Sequence, residues 1–294
     1  YFSPVDDKRE LHPIEETPGI IGMIVPTLSD PFVTGITPYL QKAFSSIGMG
    51  FSLITRDADD QRFDRLTGAF KRFFSGLILV GDAADDSTIR ILRNSDYPFI
   101  LLEKEIRTGR LNTVNTDNSA GSKLISEHIK KIGYKNVLVV ADKATIRADS
   151  AYIDEIQDAL KTICNANDPV VIELDSSLSD NDIDFSRFEI FLRPPFRAEI
   201  IIVLHSRLVY PIMNLMRNRK LRIPQDIALI SMEEGTGFDL LYSPVTCLRK
   251  PLAGMAIKSA NMIWTEIKHS GKGQYKRQVN ISPELVIRNS CGTL

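Results

Sequence analysis

The sequence predicts an α/β protein with two doubly wound lobes, each built on a parallel sheet that helices cover on both faces. Short apolar runs alternate with segments of helical period in two successive series, which is typical of parallel sheets. The chain has 294 residues, more than one hydrophobic core usually organises. Hydrophobic residues make up 43% and charged residues 25%, as in ordinary globular proteins.

The first series begins at a continuous apolar run, residues 20–26, as expected of a strand buried on both faces. Residues 1–19 hold three prolines and several charges, and we interpret them as a linker or tail. Apolar residues then recur at helical spacing over 32–47. The remaining elements predicted for this series are strands at 50–54, 77–80 and 99–102, and helices at 63–73 and 89–92.

The second series opens with a helix at 118–132, closed by Gly133. Further strands are predicted at 136–141, 170–174, 200–204 and 227–230, helices at 150–163, 209–218 and 252–267, and strand-like segments at 278–282 and 285–287. Ligands of open α/β sheets bind at the carboxyl ends of the strands, so we expect a site in a cleft between the lobes.

Charge and cysteine content exclude several classes of protein. The net charge of −1 shows no basic excess, so any DNA-contacting part is expected outside these residues. Three widely spaced cysteines predict a reducing, cytoplasmic location, and no apolar stretch is long enough to span a membrane. The start at Tyr1 has neither an initiator Met nor a signal-peptide pattern, and we interpret it as truncated.

Motifs of common enzyme classes are missing from the sequence. There is no G-x-G-x-x-G, no Walker A pattern, no G-x-S-x-G and no H-E-x-x-H. The four histidines have no ligand-like spacing with one another or with cysteines. We therefore expect a binding module that is not an enzyme, with no metal centre and no cofactor.

Two polar turns follow predicted strands and are the strongest candidates for ligand contact. The first is residues 26–32 (PTLSDPF), where Ser29 or Asp30 either caps the next helix or faces a ligand. The second contains Asp117 and Asn118 (DNSAG), where a carboxylate could accept two hydroxyl hydrogen bonds from a polyol, or could cap a helix.

Five motifs in order resemble the LacI/GalR family of transcription regulators over residues 20–291. They are IGMIVP with SDPF at 21–32, DNSAG with HIKKIGY at 117–134, RIPQDIALI at 222–230, PLAGMA at 251–256 and PELVIRNSC at 283–291. The resemblance implies a periplasmic-binding-protein-like type I core, with two lobes joined by three crossovers. It places one lobe at 20–132 plus 249–272 and the other at 133–248 plus 273–294.

The resemblance also implies partners and site residues. It implies a homodimer that binds operator DNA through a headpiece absent from this chain, controlled by a sugar or a related polar metabolite. The implied ligand-binding residues are Ser29, Asp30, Phe32, Glu103, Asp117, Tyr152, His205, Ser206 and Glu233.

Several of these residues depart from the family pattern. Tyr152 stands where the family commonly has an arginine, which removes a fork of fixed donors. His205-Ser206 replaces an Asn-Asp pair, Glu103-Lys104 replaces Asp-Arg, and Glu233 keeps a carboxylate one methylene further out. An unusual ligand, or a degenerate sensing function, is therefore an alternative to an ordinary hexose or pentose.

Two other functions fit the same fold. An extracytoplasmic sugar-binding protein of a transporter would carry a secretion signal in the complete gene, whereas a regulator would carry an upstream helix-turn-helix. An α/β enzyme would need a nucleophile–base pair or a metal cluster, and the sequence offers neither.

Overall fold

The computed structural model describes residues 19–56, 68, 70–104, 106, 111–143, 150–164, 166–175, 182–269 and 277–293. The chain divides into two compact units, which we call unit 1 (Tyr1–Asn115 and Leu252–Val279) and unit 2 (Thr116–Pro251 and Asn280–Leu294). The chain therefore passes from one unit to the other three times.

Strands and helices alternate along most of the described chain. Up to the first passage they are β1 (Ile20–Val25), α1 (Pro31–Ser46), β2 (Gly50–Thr55), β3 (Gly76–Val80), α2 (Asp86–Asn94), β4 (Phe99–Leu102) and β5 (Thr113–Thr116). Unit 2 continues with α3 (Asn118–Ile132), β6 (Val137–Asp142), α4 (Ser150–Thr162), β7 (Val170–Leu174), α5 (Ser186–Ile190), β8 (Ile200–Val203), α6 (Val209–Asn218), β9 (Ala228–Ser231) and β10 (Thr246–Arg249). The last elements are α7 (Leu252–Lys268), β11 (Gln278–Ile281) and β12 (Glu284–Val286).

The strands form two six-stranded sheets, with the orders β11-β5-β4-β3-β1-β2 and β12-β10-β9-β8-β6-β7. Neighbours from β5 to β2 in the first sheet are parallel, as are neighbours from β10 to β7 in the second. Only β12 is shown to run antiparallel to its neighbour, β10, among the pairings described. Two mostly parallel sheets with flanking helices are the predicted architecture, and the predicted fold class is confirmed.

The core of unit 2 lies on both faces of its sheet. Successive residues of β8 point to opposite sides, so Ile201 and Val203 join one apolar cluster and Ile200 and Ile202 join the other. Helix α6 covers the first cluster, and helices α3 and α4 cover the second. Because both faces are covered, the strand must be apolar at every position, as its sequence is.

In unit 1, α1 packs against α7. A Cβ atom at Gly35 would lie 2.9 Å from Leu252 Cδ1, so a larger residue at this position would require the Leu252 side chain to move. Residues Ile21, Met23, Ile24 and Val25 of β1 are fully buried. None of the helices in the described parts of the chain is both long and apolar enough to cross a membrane.

The structure differs from the sequence predictions in several places. Helix α3 belongs to unit 2, whereas the predicted lobe boundary placed it in the first lobe; Ile125 and Ile129 of this helix pack in the unit 2 core. Strand β10 and helix α5 were not predicted, and of β5 only the end at Asp117 was predicted. Phe63 and Leu66 of the predicted helix 63–73, and residues 1–18 of the predicted tail, lie outside the described residues.

A short 3-10 turn, Asn289–Cys291, closes the described chain against the unit 2 sheet. Ser290 Oγ accepts the N–H of Thr246 at 2.9 Å and donates to the carbonyl of Leu229 at 2.5 Å. The N–H of Ser290 donates to the carbonyl of Pro244 at 3.0 Å. One fully buried serine therefore bonds to both β9 and β10.

Candidate functional site

The loop after β1 presents the first group of predicted residues. Asp30 is the N-cap of α1, since its Oδ1 accepts the N–H of Phe32 at 2.8 Å, and Pro31 occupies the first helical position. Ser29 is exposed, and its Oγ lies 3.0 Å from Thr27 Oγ1. Of the two candidates for helix capping, the structure therefore selects Asp30 and leaves Ser29 to the turn.

Glu103 follows β4 at the carboxyl edge of the same sheet. Its φ of +52° lies in the left-handed region, which residues other than glycine rarely adopt. Its N–H donates to the carbonyl of Val114 at 3.0 Å, and the next N–H, of Lys104, donates to Asn115 Oδ1 at 3.0 Å. Strained backbone of this kind costs about 1–3 kcal/mol and is enriched at functional sites.

Arg56, at the end of β2, belongs to this edge and was not predicted. Its buried guanidinium donates to the carbonyl of Ala83 at 3.0 Å, to Thr88 Oγ1 at 2.8 Å and to Asp85 Oδ2 at 2.5 Å. Asp85 also caps α2 by accepting the N–H of Thr88. Burial raises the pKa of Asp85, but the hydrogen bonds from Arg56 and Thr88 outweigh it and lower the pKa to about 2.

Asp117 opens α3 in unit 2 in the way that Asp30 opens α1. Its Oδ1 accepts the N–H of Ala120 at 2.9 Å, and its own N–H donates to the carbonyl of Ile281 at 2.9 Å. Gly133, with φ of +98°, ends the helix in the left-handed conformation. Asp117, and not Asn118, is therefore the helix cap, and one carboxylate oxygen has a structural role.

Ser206 and Glu233 follow the neighbouring strands β8 and β9, and the structure brings them into contact. Glu233 Oε2 accepts both the N–H of Ser206 at 3.1 Å and its hydroxyl at 3.3 Å. Lys250, which follows β10 and was not predicted, places its Nζ 3.8 Å from Glu233 Oε1. Because β8, β9 and β10 are parallel neighbours, these three residues share one edge of the sheet.

A second carboxylate lies beside this cluster. Glu234 accepts two hydrogen bonds from Arg249, at 2.6 and 2.9 Å, and one from Arg288 at 2.6 Å. The hydrogen bonds from Arg249 and Arg288 lower the pKa of Glu234 against the effect of burial. Arg288, which follows β12, also donates to the carbonyl of Val245 just before β10. Through Arg249 and Arg288, Glu234 therefore joins the end of β9 to β10 and to the segment after β12.

The other predicted residues of unit 2 lie on separate elements. His205 precedes Ser206, and its Nδ1 accepts the N–H of Arg207 at 3.3 Å, which caps a 3-10 turn. Tyr152 lies on α4 and packs, half-buried, against the apolar cluster that contains Met232. Asp142, at the carboxyl end of β6, is buried and was not predicted. An acidic residue that ends an otherwise apolar strand was the signal that could have found it.

The sequence model of the periplasmic binding protein-like domain family matches residues 126–291. The HTH-type transcriptional regulator KdgR of Bacillus subtilis is 20% identical over 92% of this chain and 80% of its own length. A periplasmic binding protein/LacI transcriptional regulator from Alkaliphilus metalliredigens, complexed with D-xylulofuranose, aligns with a TM-score of 0.76, 18% identity, and 93% and 99% coverage of the two chains. A LacI family regulator from Enterococcus faecium with bound ribose aligns with a TM-score of 0.75, 17% identity, and 94% and 99% coverage.

Proposed function

Because the chain belongs to the periplasmic binding protein-like domain family, we propose that it is the small-molecule-sensing core of a LacI-type DNA-binding transcription regulator. The observation that carries this proposal is the alignment of a curated regulator with 92% of the chain, which covers both units. The resemblance to LacI-type cores that the sequence motifs indicated is confirmed by these relatives. They favour a regulator over a transporter's sugar-binding protein.

The effector we propose is a sugar or a related polar metabolite. The solved relatives with bound D-xylulofuranose and ribose support this class of ligand. The strand-end side chains of this chain suit it as well, because carboxylate and hydroxyl oxygens exchange hydrogen bonds with polyols. Asp30 and Asp117 each use one oxygen, Oδ1, for a helix cap. The second carboxylate oxygen of each residue is a further acceptor of the kind that a sugar hydroxyl binds.

The proposal includes a homodimer, a cytoplasmic location and operator DNA contacted through a headpiece outside these residues. A two-fold dimer matches the two half-sites of an operator. The chain acts by binding and not by catalysis, and its effector biases a conformational equilibrium that the headpiece reads. We further propose that units 1 and 2 are the two lobes of the core, with α3 in the second.

A thermal-shift screen with D-ribose, D-xylulose, other sugars, sugar acids, polyols and nucleobases tests the proposal. A cognate ligand at a hundredfold excess over its Kd should stabilise the protein by about 2.7 kcal/mol. Asp117→Asn keeps a side chain that can cap α3 but replaces one carboxylate oxygen by an amide nitrogen, so it should abolish the shift and keep the fold.

Asp168→Asn is the matched control, because Asp168 is an exposed carboxylate of unit 2 that pairs with Lys161. It should leave the ligand-induced shift unchanged. The proposal fails if no compound of the panel stabilises the wild-type protein. A monomeric mass by light scattering at micromolar concentration would contradict the homodimer.

A further inference from the structure

The segment from Arg187 to Asp226 in unit 2 has a strong excess of positive charge. It contains eight arginines and lysines and three acidic residues, whereas the whole chain has a net charge of −1. The loops that precede β8 and β9 belong to this segment, and these two strands are parallel neighbours. Both loops therefore lie at the amino edge of the sheet, opposite the carboxyl edge that carries Ser206 and Glu233.

Hydrogen bonds and ring packing hold these basic loops in one surface. The loop before β8 is closed by the N–H of Ala198, which donates to the carbonyl of Phe191 at 2.9 Å. The rings of Phe191 and Phe196 pack edge to face in the same loop, with centroids 5.6 Å apart. Arg197 donates to the carbonyl of Asp226 at 3.4 Å, which joins this loop to the turn before β9.

Arginines remain exposed around carboxylates that are already bound. Asp226 accepts two hydrogen bonds from the Arg222 guanidinium, at 2.9 and 3.1 Å, and Glu189 of α5 accepts one from Arg219 Nε at 3.0 Å. The side chains of Arg219 and Arg222 are nonetheless 53% and 71% exposed. Arg193 is exposed as well and forms no ion pair with any carboxylate in the described parts of the chain. This surface therefore presents more cations than its own carboxylates neutralise.

Lys220 adds an exposed cation at a position where a helix end favours glycine. Its φ is +59°, in the left-handed region, and it directly follows the C-cap of α6. The N–H of Leu221 donates to the carbonyl of Met216 at 2.9 Å, as at helix ends that place glycine in this conformation. A lysine is less stable there than a glycine. The end of the helix therefore does not account for the lysine, and its charge is the property that it contributes.

We infer that this surface binds an acidic segment of a partner protein, with an apolar side chain beside its carboxylates. We call it the basic face and define it by Ile190, Arg193, Arg197, Arg219, Lys220 and Arg222. An arginine fork binds a carboxylate through two nitrogens, as Arg222 does with Asp226.

The apolar part of the basic face favours a protein over a nucleic acid. Ile190 ends α5 next to Glu189, which binds Arg219, and its side chain is 65% exposed. Protein interfaces are enriched in arginine and bury apolar groups at their centre, whereas most protein–DNA hydrogen bonds go to phosphate and sugar. The inference goes beyond the proposed function, because this edge of the sheet is opposite the strand ends assigned to the effector.

Fluorescence anisotropy on the full chain measures the binding of a labelled acidic peptide, EELDEELDEELD, and of two matched peptides. QQLNQQLNQQLN lacks the charges, and EESDEESDEESD lacks the leucines. The wild type should bind the first peptide most tightly, and added salt should weaken this binding because exposed charges are screened.

Three substitutions test the basic face. Arg193→Gln and Lys220→Gly should each weaken binding of the acidic leucine peptide by about 2- to 5-fold, the loss expected for one exposed ion pair. Lys220→Gly should also raise the free energy of unfolding, because glycine adopts the left-handed conformation without strain. Weaker binding by a more stable protein separates loss of a contact from loss of the fold. Ile190→Ser should weaken binding of the leucine peptide and leave that of the serine peptide unchanged.

Lys258→Gln is the control, because Lys258 is an exposed lysine of α7 in unit 1, and it should leave every Kd unchanged. The inference is overturned if the wild type does not bind the acidic leucine peptide, or if neither Arg193→Gln nor Lys220→Gly weakens that binding. Tighter binding of a single-stranded oligothymidylate, weakened by the same two substitutions, would make nucleic acid the partner and would also overturn it. Each of these outcomes leaves the ligand screen of the proposed function unaffected.

Discussion

Ser206 donates both its backbone N–H and its hydroxyl to a single carboxylate oxygen, Oε2 of Glu233. Ser206 is buried, so this carboxylate satisfies a backbone donor that water cannot reach easily. The bond therefore contributes to stability as well as to the geometry of the strand ends.

Removing the two partners should have different effects on stability. Ser206→Ala removes the hydroxyl bond but keeps the backbone bond, and should lower the free energy of unfolding by about 1 kcal/mol. Glu233→Ala leaves the Ser206 N–H without its acceptor and should cost about 1–3 kcal/mol. Urea unfolding measures both, with Ser29→Ala as an exposed control that should change little. Equal losses for Ser206→Ala and Glu233→Ala would show that the backbone bond does not matter.

Asp30 should stabilise unit 1 by capping α1. Asp30→Ala removes the acceptor for the N–H of Phe32 and should cost about 1 kcal/mol, whereas Asp30→Asn keeps an acceptor and should cost much less. Chemical denaturation of the two variants distinguishes capping from loss of charge. If the asparagine variant is as unstable as the alanine variant, the charge and not the cap is responsible.

Stability should decrease in acid partly through Asp85. The pKa of Asp85 in the folded protein is lowered to about 2 from 3.8, so its contribution is complete above pH 3.8 and is lost as the pH falls towards 2. Asp85→Asn removes this titration and should show a shallower loss of stability between pH 4 and pH 2. Unfolding curves at several pH values measure the slope. Identical slopes in the two proteins would contradict the assignment.

Cys291 should make stability depend on pH in the alkaline range. Burial raises the pKa of its thiol, but contacts of Sγ with His128 Nε2 at 3.3 Å and Thr246 Oγ1 at 3.1 Å, together with Thr293, outweigh burial and lower the pKa from 9.0 to about 7. In the unfolded protein the thiol has the higher pKa, so between pH 7 and pH 9 the unfolded state binds more protons than the folded state. The free energy of unfolding should therefore rise over this range, by up to about 3 kcal/mol.

Cys291→Ser keeps hydrogen-bonding capacity at this position but does not ionise in the same range. Its stability should therefore not show the rise from pH 7 to pH 9 that urea unfolding measures in the wild type. Parallel pH profiles of the two proteins would mean that the thiol stays protonated in the folded state.

The sequence predicted the fold well where strands are apolar on both faces. The apolar runs of β1, β6 and β8 identify them within about one residue, because helices cover both sides of their sheets. Strand β5 was predicted only by its end at Asp117, because its sequence, Thr-Val-Asn-Thr, is mostly polar although all four residues are buried. The buried Asn115 side chain in this strand is satisfied in part because its Oδ1 accepts the N–H of Lys104. The spacing of hydrophobic residues along the sequence does not predict such a contact.

The candidate site was only partly predictable. Asp30 and Asp117 follow strands and precede helices, so a local pattern finds them, although it does not decide between capping and ligand contact. Arg56 and Lys250 were missed because their partners come from distant segments; Arg56 and Asp85 are 29 residues apart. Such pairs follow from strand order, which single-sequence patterns do not specify.

The Asn289–Cys291 turn restricts how this protein can be engineered. The Ser290 hydroxyl joins the start of β10 to the middle of β9. A variant truncated before Asn289 would lose the acceptor for the buried Thr246 N–H and the donor to the Leu229 carbonyl, which should destabilise unit 2. A fluorescent biosensor made from this chain should therefore carry its reporter after Gly292, joined by a flexible spacer, and keep the turn intact.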